Sequence, residues 1–264
     1  MRNLSPDISD LVFLSEKRKN VLLLLLKGPK DMEEIKKALD MSYVAIQPQI
    51  KKLRDNNLVV QDKCKFRLSS VGVLVAKKVS DSVDTFHVLE KNFKYWITRD
   101  LSSIPPHILD RIGELGDCDV IEPDMNHVLE PSKVLTDNIV KSKHVAAFFS
   151  YFSPIIPNTY FETANKGTQI SIIMTSLVFK RILTDFHSEL KHFLSLENTN
   201  LSVYDGNIAL TCTITDWLFG LVLLDEDGVF THRTLVTLNP QGLEWGKDLF
   251  LHYKGLSRQI KEIE

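Results

Sequence analysis

Six cationic side chains between residues 51 and 67 signal the plainest chemistry in this sequence. They are Lys51, Lys52, Arg54, Lys63, Lys65 and Arg67. Ammonium and guanidinium groups bind phosphate oxygens, and such contacts give affinity for nucleic acid without reading its sequence. The cluster therefore predicts a phosphate-binding surface.

The residues just before these cations are of types that can read base edges. They are Ser42, Tyr43, Ala45, Gln47 and Gln49. A glutamine amide can bond an adenine edge with both ends, and Ala or Tyr can contact a thymine methyl group. The same residues also suit the ordinary solvated face of a helix that binds another protein. Together with the cations, they favour double-stranded DNA as a partner.

The elements that must position these side chains form a helix-turn-helix followed by a hairpin. Ser15, Asp31 and Ser42 each suit the N-cap of a helix. Residues 58–61 and 64–68 have the pattern of two short strands joined by a tight turn. This order predicts a winged helix, whose third helix lies in the DNA major groove.

Pro48 interrupts the pattern of the third helix. A proline in a helix interior lacks a backbone donor and costs roughly 3 kcal/mol. A proline is tolerated in the first turn of a helix, but Pro48 lies beyond the first turn after Ser42. We therefore expect either a kink at Pro48 or a separate turn over residues 42–47, with the regular helix beginning near Gln47.

Charge divides the chain into two parts of opposite sign. Residues 1–80 contain 16 Lys/Arg and 9 Asp/Glu, whereas residues 81–264 contain 16 and 25. Opposite signs suggest two domains with different partners, of which the basic one suits nucleic acid. The chain is 44% hydrophobic and 25% charged, as in globular proteins. It has no apolar run near the roughly 20 residues of a membrane span, so we expect a cytoplasmic protein without a membrane partner.

A long helical pattern follows the predicted hairpin. Apolar residues recur at three- and four-residue steps from Val71 to Arg99, which predicts one long helix or two nearly collinear ones. Such a helix could support a homodimer, because DNA half-sites require a two-fold partner. It could equally pack on its own C-terminal domain.

Paired prolines in "SSIPPH", Ser102 to His107, predict the boundary after this helix. We therefore predict a winged helix over residues 1–80, a linking helix over 81–104 and a third segment over 105–264. In that segment strand-like and helical runs alternate before a series of strands, which predicts a mixed sheet. The fold class is thus α+β or α/β.

Polar residues follow three strands of this predicted sheet. They are Ser150 and Tyr151, Thr175 and Ser176, and Thr215, Asp216 and Trp217. Ligand sites in α/β sheets gather at strand C-terminal ends, so these residues form a candidate pocket for a small effector. They are equally the usual composition of strand-ending turns.

Motifs of catalysis are missing from the sequence. It has no glycine-rich phosphate loop, no Gly-x-Ser-x-Gly and no His-Glu-x-x-His, and its eight histidines are isolated. Cys64, Cys118 and Cys212 are too far apart in sequence for a Cys-x-x-Cys metal site. We therefore predict no catalytic residue, metal or cofactor. An enzyme with an accessory winged helix and a protein-interaction scaffold remain the alternatives.

Three longer stretches resemble a known family. They are "AIQPQIKKLRDNNLV", "FKYWITRDLSSIPPHILDRIGELGDCDVIEP" and "GLEWGKDLFLHYKGLSRQI". With them the chain resembles the archaeal methanogenesis or filamentation regulatory proteins, found mainly in methanogens, over nearly its whole length. The more specific parts of this resemblance are the motifs "W-x-x-R-D-x-S-x-I-P" and "G-x-x-W-G". The resemblance implies an ArsR-like helix-turn-helix with a proline in helix three, sequence-specific DNA binding and control of transcription.

The C-terminal part is also similar to the effector domain of archaeal sugar-responsive regulators, which has a phospholipase-D-like sheet. The His-x-Lys…Asp signature of active phospholipase D enzymes is absent here, which argues against hydrolysis. Metal-sensing ArsR proteins carry Cys or His clusters near helix three or the last helix. Only Cys64 and His87 lie near these positions, so metal sensing is not favoured.

Overall fold

The computed structural model describes residues 7–122 and 132–263. By its internal contacts the chain divides into two compact units, residues 1–83 and 84–264. Each unit is described by itself below.

From residue 7 onward, the first unit contains four complete helices, three strands and the start of a fifth helix. The helices are α1 (Ile8–Phe13), α2 (Glu16–Leu26), α3 (Met32–Leu39), α4 (Tyr43–Asp55) and α5 (Ser70–Lys91), and the strands are β1 (Lys30–Asp31), β2 (Val59–Asp62) and β3 (Lys65–Leu68). This is the predicted helix-turn-helix followed by a hairpin. The winged-helix prediction is confirmed.

Capping side chains set where α2 and α3 begin, as the sequence predicted, whereas Ser42 makes no side-chain cap hydrogen bond at the start of α4. Asp31 Oδ1 accepts from the Glu34 backbone N–H at 2.9 Å, and Glu34 Oε2 accepts from the Asp31 N–H at 2.8 Å. This reciprocal pair is a capping box that satisfies two free donors at the start of α3. Ser15 caps α2 with a single bond, in which its hydroxyl oxygen accepts from the backbone N–H of Arg18.

Apolar residues at helical spacing hold the unit together. Ile46, Ile50 and Leu53 on α4 are at most 2% exposed and pack in one cluster with Leu22 and Ile35. Strand β3 lies in the centre of a three-stranded antiparallel sheet, between β1 and β2. Strand β1 was missed in the sequence because two residues are too few to show a period.

Pro48 lies within a single helix. Helix α4 runs without a break from Tyr43 to Asp55, so the prediction of a separate turn before Gln47 is wrong. Pro48 is on the exposed side of α4, and Val44, whose carbonyl would accept its missing hydrogen bond, is 78% exposed. Water can therefore hydrate that carbonyl, and the lost bond is not left buried.

The predicted linking helix does not form a separate segment. Helix α5 ends at Lys91, and the short helix α6 (Phe93–Trp96) follows it. Tyr95 and Trp96 are buried in the core of the second unit, which begins at Asp84. Residues 84–104 therefore belong to that unit, because its core takes their apolar side chains.

The described residues of the second unit form one eight-stranded sheet with helices around it. Its strands are β4 (Cys118–Ile121), β5 (His144–Phe149), β6 (Gln169–Thr175), β7 (Thr199–Tyr204), β8 (Leu210–Ile214), β9 (Phe219–Leu223), β10 (Thr234–Thr237) and β11 (Arg258–Ile260). Their order is β11-β7-β6-β5-β8-β9-β10-β4, in which β5, β6 and β7 are parallel and every other pair is antiparallel. The mixed sheet is confirmed.

Helices cover both faces of this sheet. Besides α6 they are α7 (Pro106–Leu109), α8 (Lys133–Lys141), α9 (Glu162–Asn165), α10 (Ser176–Asp185), α11 (His187–Ser195) and α12 (Pro240–Gly255), with a 3₁₀ helix at Ile112–Leu115 and a π-helix at Ile156–Phe161. Among the described residues, no helix is long and apolar enough to cross a membrane.

The "G-x-x-W-G" stretch packs α12 tightly on the sheet. Trp245 is fully buried and donates through Nε1 to the Ile108 carbonyl at 2.8 Å. A Cβ on Gly246 would lie 2.4 Å from the Phe219 ring, so only glycine permits this approach. These residues therefore serve packing.

The "W-x-x-R-D-x-S-x-I-P" stretch is also built into this core. Trp96 Nε1 donates to the Val88 carbonyl at 3.0 Å, and Ile104 is 2% exposed. Arg99 is 5% exposed and donates to Thr231 Oγ1 at 2.7 Å. The segment that was expected to mark a domain boundary is therefore internal to the second unit.

Candidate nucleic-acid interface

Helix α4 presents one side to solvent while its other side fills the core. Tyr43, Gln47, Lys51, Lys52 and Arg54 are exposed. Their positions follow from the burial of Ile46, Ile50 and Leu53, which fixes the rotation of the helix about its axis. The exposed residues of α4, together with the hairpin β2–β3, are called the α4–hairpin surface below.

The cations of this surface are mostly unpaired. The five that have no carboxylate within 4.0 Å among the described residues are Lys51, Lys52, Arg54, Lys63 and Arg67. Their charges are therefore available to an external anion. Lys52 and Arg54 also lie in the last turn of α4, where the helix dipole favours positive charge.

Lys65 differs from these five. Its Nζ lies 3.8 Å from Glu34 Oε2, and Lys30 Nζ lies 3.9 Å from Glu34 Oε1. Lys65 is thus the one predicted phosphate contact that has a carboxylate nearby within the described first unit. Its contribution to binding an anion is correspondingly smaller.

The hairpin carries its cations near a two-residue turn. Asp62 pairs with Lys65 in the ladder, so Lys63 and Cys64 form the turn. Lys63 has a φ of 53°, and its carbonyl accepts from Gln61 Nε2 at 3.1 Å. Positive φ at the first turn position is typical of the two-residue hairpin turns that match strand twist.

The candidate base-reading residues do not all face outward. Ser42, Tyr43 and Gln47 are exposed, but Ala45 and Gln49 are half-buried. The side-chain oxygen of Gln49 is buried without a hydrogen-bond partner among the described residues. Gln49 lies toward the core because it is three residues after Ile46 and four before Leu53.

Two exposed apolar residues on α4 were not among the predicted DNA-binding residues. Val44 is 78% exposed, and Pro48, four residues later, lies on the same side of the helix. A signal was present, since an apolar residue facing water on a helix beside cations suits contact with thymine methyl groups.

The candidate effector residues are split between the two opposite ends of the strands in the sheet. Strand β8 is antiparallel to β5, so its C-terminal end lies beside the start of β5. Asp216 Oδ1 accordingly lies 3.1 Å from His144 Nδ1, and Asp216 Oδ2 accepts from the Lys143 backbone N–H at 2.7 Å. The prediction of one pocket that includes Thr215, Asp216 and Trp217 is wrong.

Thr215 and Trp217 have ordinary turn roles. Thr215 Oγ1 accepts from the backbone N–H groups of Trp217 and Leu218, at 3.2 and 2.9 Å. The Trp217 side chain is 63% exposed.

The other four candidates lie together at the C-terminal ends of β5 and β6. Thr175 Oγ1 donates to the Ser150 carbonyl at 3.5 Å, and Ser150 Oγ lies 3.1 Å from Thr211 Oγ1. Ser176 donates its hydroxyl to the Asp205 carboxylate, and the ring of Tyr151 contacts that of Phe230 in a tilted arrangement with centroids 4.4 Å apart. The parallel pair β5–β6 brings these residues together, as the sequence predicted.

Comparison with known proteins identifies both units. Residues 9–87 match the N-terminal domain described as that of methanogenesis regulatory protein FilR1, and residues 128–255 match its middle domain. A curated relative is the methanogenesis regulatory protein FilR1 of Methanothrix harundinacea, 24% identical over 253 residues. The match covers 94% of this chain but 57% of that relative, so the chain spans little more than half of its length.

Solved structures give only distant likenesses. TrmBL2, described as an archaeal chromatin protein with a novel mode of DNA binding, matches with a TM-score of 0.44, 13% identity and coverage of 94% of this chain and 95% of that one. Nuc, a phospholipase D family member of Salmonella typhimurium, matches with a TM-score of 0.40, 14% identity and coverage of 55% and 100%.

Proposed function

Because this chain belongs to the methanogenesis regulatory protein family, we propose that it binds double-stranded DNA through the α4–hairpin surface and controls transcription. The single observation that supports this most is the group of unpaired cations on that surface. Lys51, Lys52 and Arg54 lie on α4, while Lys63 and Arg67 lie on the hairpin beside it. The proposal includes no catalytic step.

The proposed docking follows from the order of the elements. The second helix of a helix-turn-helix lies in the major groove with its N-terminal residues on the base edges. In α4 that start carries Tyr43, Val44 and Gln47, whereas the cations follow toward its C-terminus. Gln47 would bond an adenine edge, and the apolar groups would meet thymine methyls.

The hairpin would hold the adjacent backbone. Lys63 is exposed in the turn, Lys65 at the turn end of the ladder and Arg67 two residues further along β3. Phosphate contacts of this kind fix the register of a protein on the duplex but do not select its sequence. Affinity and specificity would thus come from different residues of one surface.

We also propose a homodimer, because two-fold DNA half-sites require a symmetric pair of reading helices. The sequence favoured residues 81–104 for this contact. Phe86 and Phe93 in that segment are 53% and 59% exposed, so each offers an apolar side chain that a second copy could cover. The second unit would then sense a small effector or couple to a partner.

Selection of bound genomic fragments with the purified protein tests the function. We expect enrichment of a short motif with two-fold symmetry, retained by a control variant with Lys19→Ala and Lys36→Ala and lost with Lys52→Ala and Arg54→Ala. Recovery of random fragments by all three proteins would show that binding is non-specific, which contradicts control of particular genes. If the protein recovered no fragments, the proposal of DNA binding would be overturned.

A further inference from the structure

The second unit contains a cavity of about 920 Å³ on one side of its sheet. This volume is within the range of roughly 300–1,000 Å³ typical of small-molecule sites. Strands β8, β9 and β10 form its floor, and residues of α8 and the π-helix contribute to its walls. We call it the threonine cavity, after Thr211, Thr213 and Thr234 on its floor.

The floor differs from the rest of the same sheet face. Ladder partners point to the same side, and Thr213 pairs with Ala147 on β5 and with Gly220 on β9. On the β5–β6 half this face carries apolar side chains that are packed into one cluster with α10 and α11. On the β8–β10 half it carries Thr211, Thr213 and Thr234 beside Gly220 and two valines, and the cavity lies over the threonines.

The other face of the same strands shows that this is not a general feature of β8 and β9. There Leu210, Cys212 and Ile214 alternate with the threonines and are fully packed with α12 residues in the main core. On β8 the hydroxyls are therefore restricted to the side that faces the cavity. An apolar core would not need them.

Aromatic rings form much of the walls. The lining includes Phe149, Tyr151, Phe152, Tyr160 and Phe230. The rings of Tyr151 and Phe230 are tilted by 37° with centroids 4.4 Å apart, and Phe149 meets Tyr160 edge to face at 5.2 Å. Such walls suit a flat or branched apolar body.

The polar groups on the floor are uncharged. Tyr160 OH and Thr213 Oγ1 lie 2.6 Å apart, and Thr211 Oγ1 accepts from the Ser150 backbone N–H at 3.1 Å. A hydroxyl can donate once and accept twice, so each threonine has capacity for a further bond. Burial raises the pKa of Tyr160 well above its ordinary value, which keeps the phenol neutral.

Two charged residues line the cavity, and neither lies on its floor. Glu122 and Lys133 are both exposed to solvent, and Glu122 pairs with Arg233 at 3.0 Å. A ligand charge placed deep in the cavity would lose its hydration without an ionic partner among the described floor residues.

From these observations we infer that the threonine cavity binds an uncharged amphipathic small molecule. Its aromatic or alkyl body lies against the rings, and its hydroxyl, carbonyl or amine group bonds to Thr211 or Thr213. The claim that this cavity is the effector site rests on the proposed function. The claim that it binds such a molecule does not.

N-phenyl-1-naphthylamine is a suitable probe, because it is uncharged and aromatic and its fluorescence rises in apolar sites. We expect saturable binding of one probe per chain by the full protein. Adsorption that never saturates, or no fluorescence change, would overturn the inference.

Gly220 allows the cavity to be filled. A Cβ built there lies 3.5 Å from Leu135 Cδ1 and 3.6 Å from Thr234 Cγ2, which is ordinary contact. We expect Gly220→Leu to weaken probe binding at least about tenfold and Gly220→Ala about two- to threefold, because the pocket loses volume by steps. Gly255→Leu is the matched control, since Gly255 is exposed with open space around its Cβ, and it should leave binding unchanged.

Thermal unfolding of each variant shows whether it is folded. Where Gly220→Leu does not fold, the smaller Gly220→Ala decides. Equal probe binding by the wild type and the folded Gly220 variants would overturn the inference.

DNA binding measured on the same preparations separates the two proposals. Loss of probe binding by Gly220→Leu with DNA binding intact supports the cavity and leaves the proposed function standing. Probe binding by a wild-type protein that does not bind DNA supports the cavity and overturns the proposed function alone.

Discussion

Two sets of cations in the first unit differ in whether an acid lies beside them. On α2, α3 and α5 the pairs are Lys19 with Glu16 at 2.5 Å, Lys36 with Glu33 at 3.2 Å, and Lys78 with Asp81 at 3.3 Å. On α4 the cations have no carboxylate partner among the described residues. A paired lysine produces little net field outside the protein, whereas an unpaired one attracts an anion.

The sequence shows where this difference comes from. Between Ser42 and Leu68 there are six Lys/Arg but only two acids, Asp55 and Asp62. The positive surface therefore arises from scarce acids as much as from many lysines. Net charge over a whole domain cannot show this, because it counts paired and unpaired cations alike.

The largest effect is expected from removing two unpaired cations. Lys52→Ala with Arg54→Ala should weaken binding to every DNA sequence about 10- to 100-fold near 0.1 M salt, since phosphate contacts supply most non-specific affinity. Fluorescence anisotropy with a labelled duplex measures this.

The matched control removes two paired cations from the same unit. Lys19→Ala with Lys36→Ala changes the net charge equally but should alter affinity by less than about twofold. Equal losses in the two double variants would show that total charge, and not its position, governs binding.

Removing the proposed base-reading amide should change specificity rather than affinity. Gln47→Ala should reduce discrimination between the selected motif and its variants by about 1–3 kcal/mol at one base pair. Affinity for unrelated DNA should stay nearly the same. Competition with single-base variants of the motif measures it, and weaker binding to all duplexes alike would contradict the role.

Replacing the exposed helical proline should raise stability. Pro48→Ala restores a donor inside α4, which we expect to increase the free energy of unfolding by about 1–2 kcal/mol after allowing for the more flexible unfolded chain. Urea unfolding measures this. Pro240→Ala is the control, because Pro240 occupies the first turn of α12, where proline costs little.

The smallest effect should come from releasing a paired cation. Glu34→Gln keeps an oxygen to accept from the Asp31 N–H but removes the carboxylate beside Lys65. DNA affinity should rise about two- to threefold, because an exposed pair is worth roughly 0–1 kcal/mol. A fall in affinity at unchanged stability would show that Glu34 positions Lys65 rather than masks it.

Much of the first unit could be predicted because local signals and tertiary structure agree. The caps at Ser15 and Asp31 and the alternation in β2 and β3 are visible in the sequence and are confirmed. The outward side of α4 was predicted less well. Gln49 is half-buried because the core, and not residue type, sets the rotation of the helix.

The candidate effector site failed for a different reason. Predicting it required the direction of β8, and a run of apolar and polar residues does not show whether a strand is parallel to its neighbour. The threonines of β8 were visible as "LTCTI", but their common face was not used. Alternation of Thr with Leu, Cys and Ile was the available signal for a polar cavity floor.

The domain boundary was misplaced because prolines were given more weight than burial. "SSIPPH" does end a helix, but Ser103 and Ile104 are buried within the second unit. A sequence break marks the end of an element, whereas a domain boundary depends on which core takes the side chains on either side.

The salt dependence of DNA binding tests the central claim most directly, because each phosphate contact contributes about one unit to the slope of log affinity against log salt. For the variant with Lys52→Ala and Arg54→Ala, we predict a slope shallower than that of the wild type by about two units. The variant with Lys19→Ala and Lys36→Ala should keep the wild-type slope. An unchanged slope in the first variant would contradict the proposed α4–hairpin surface.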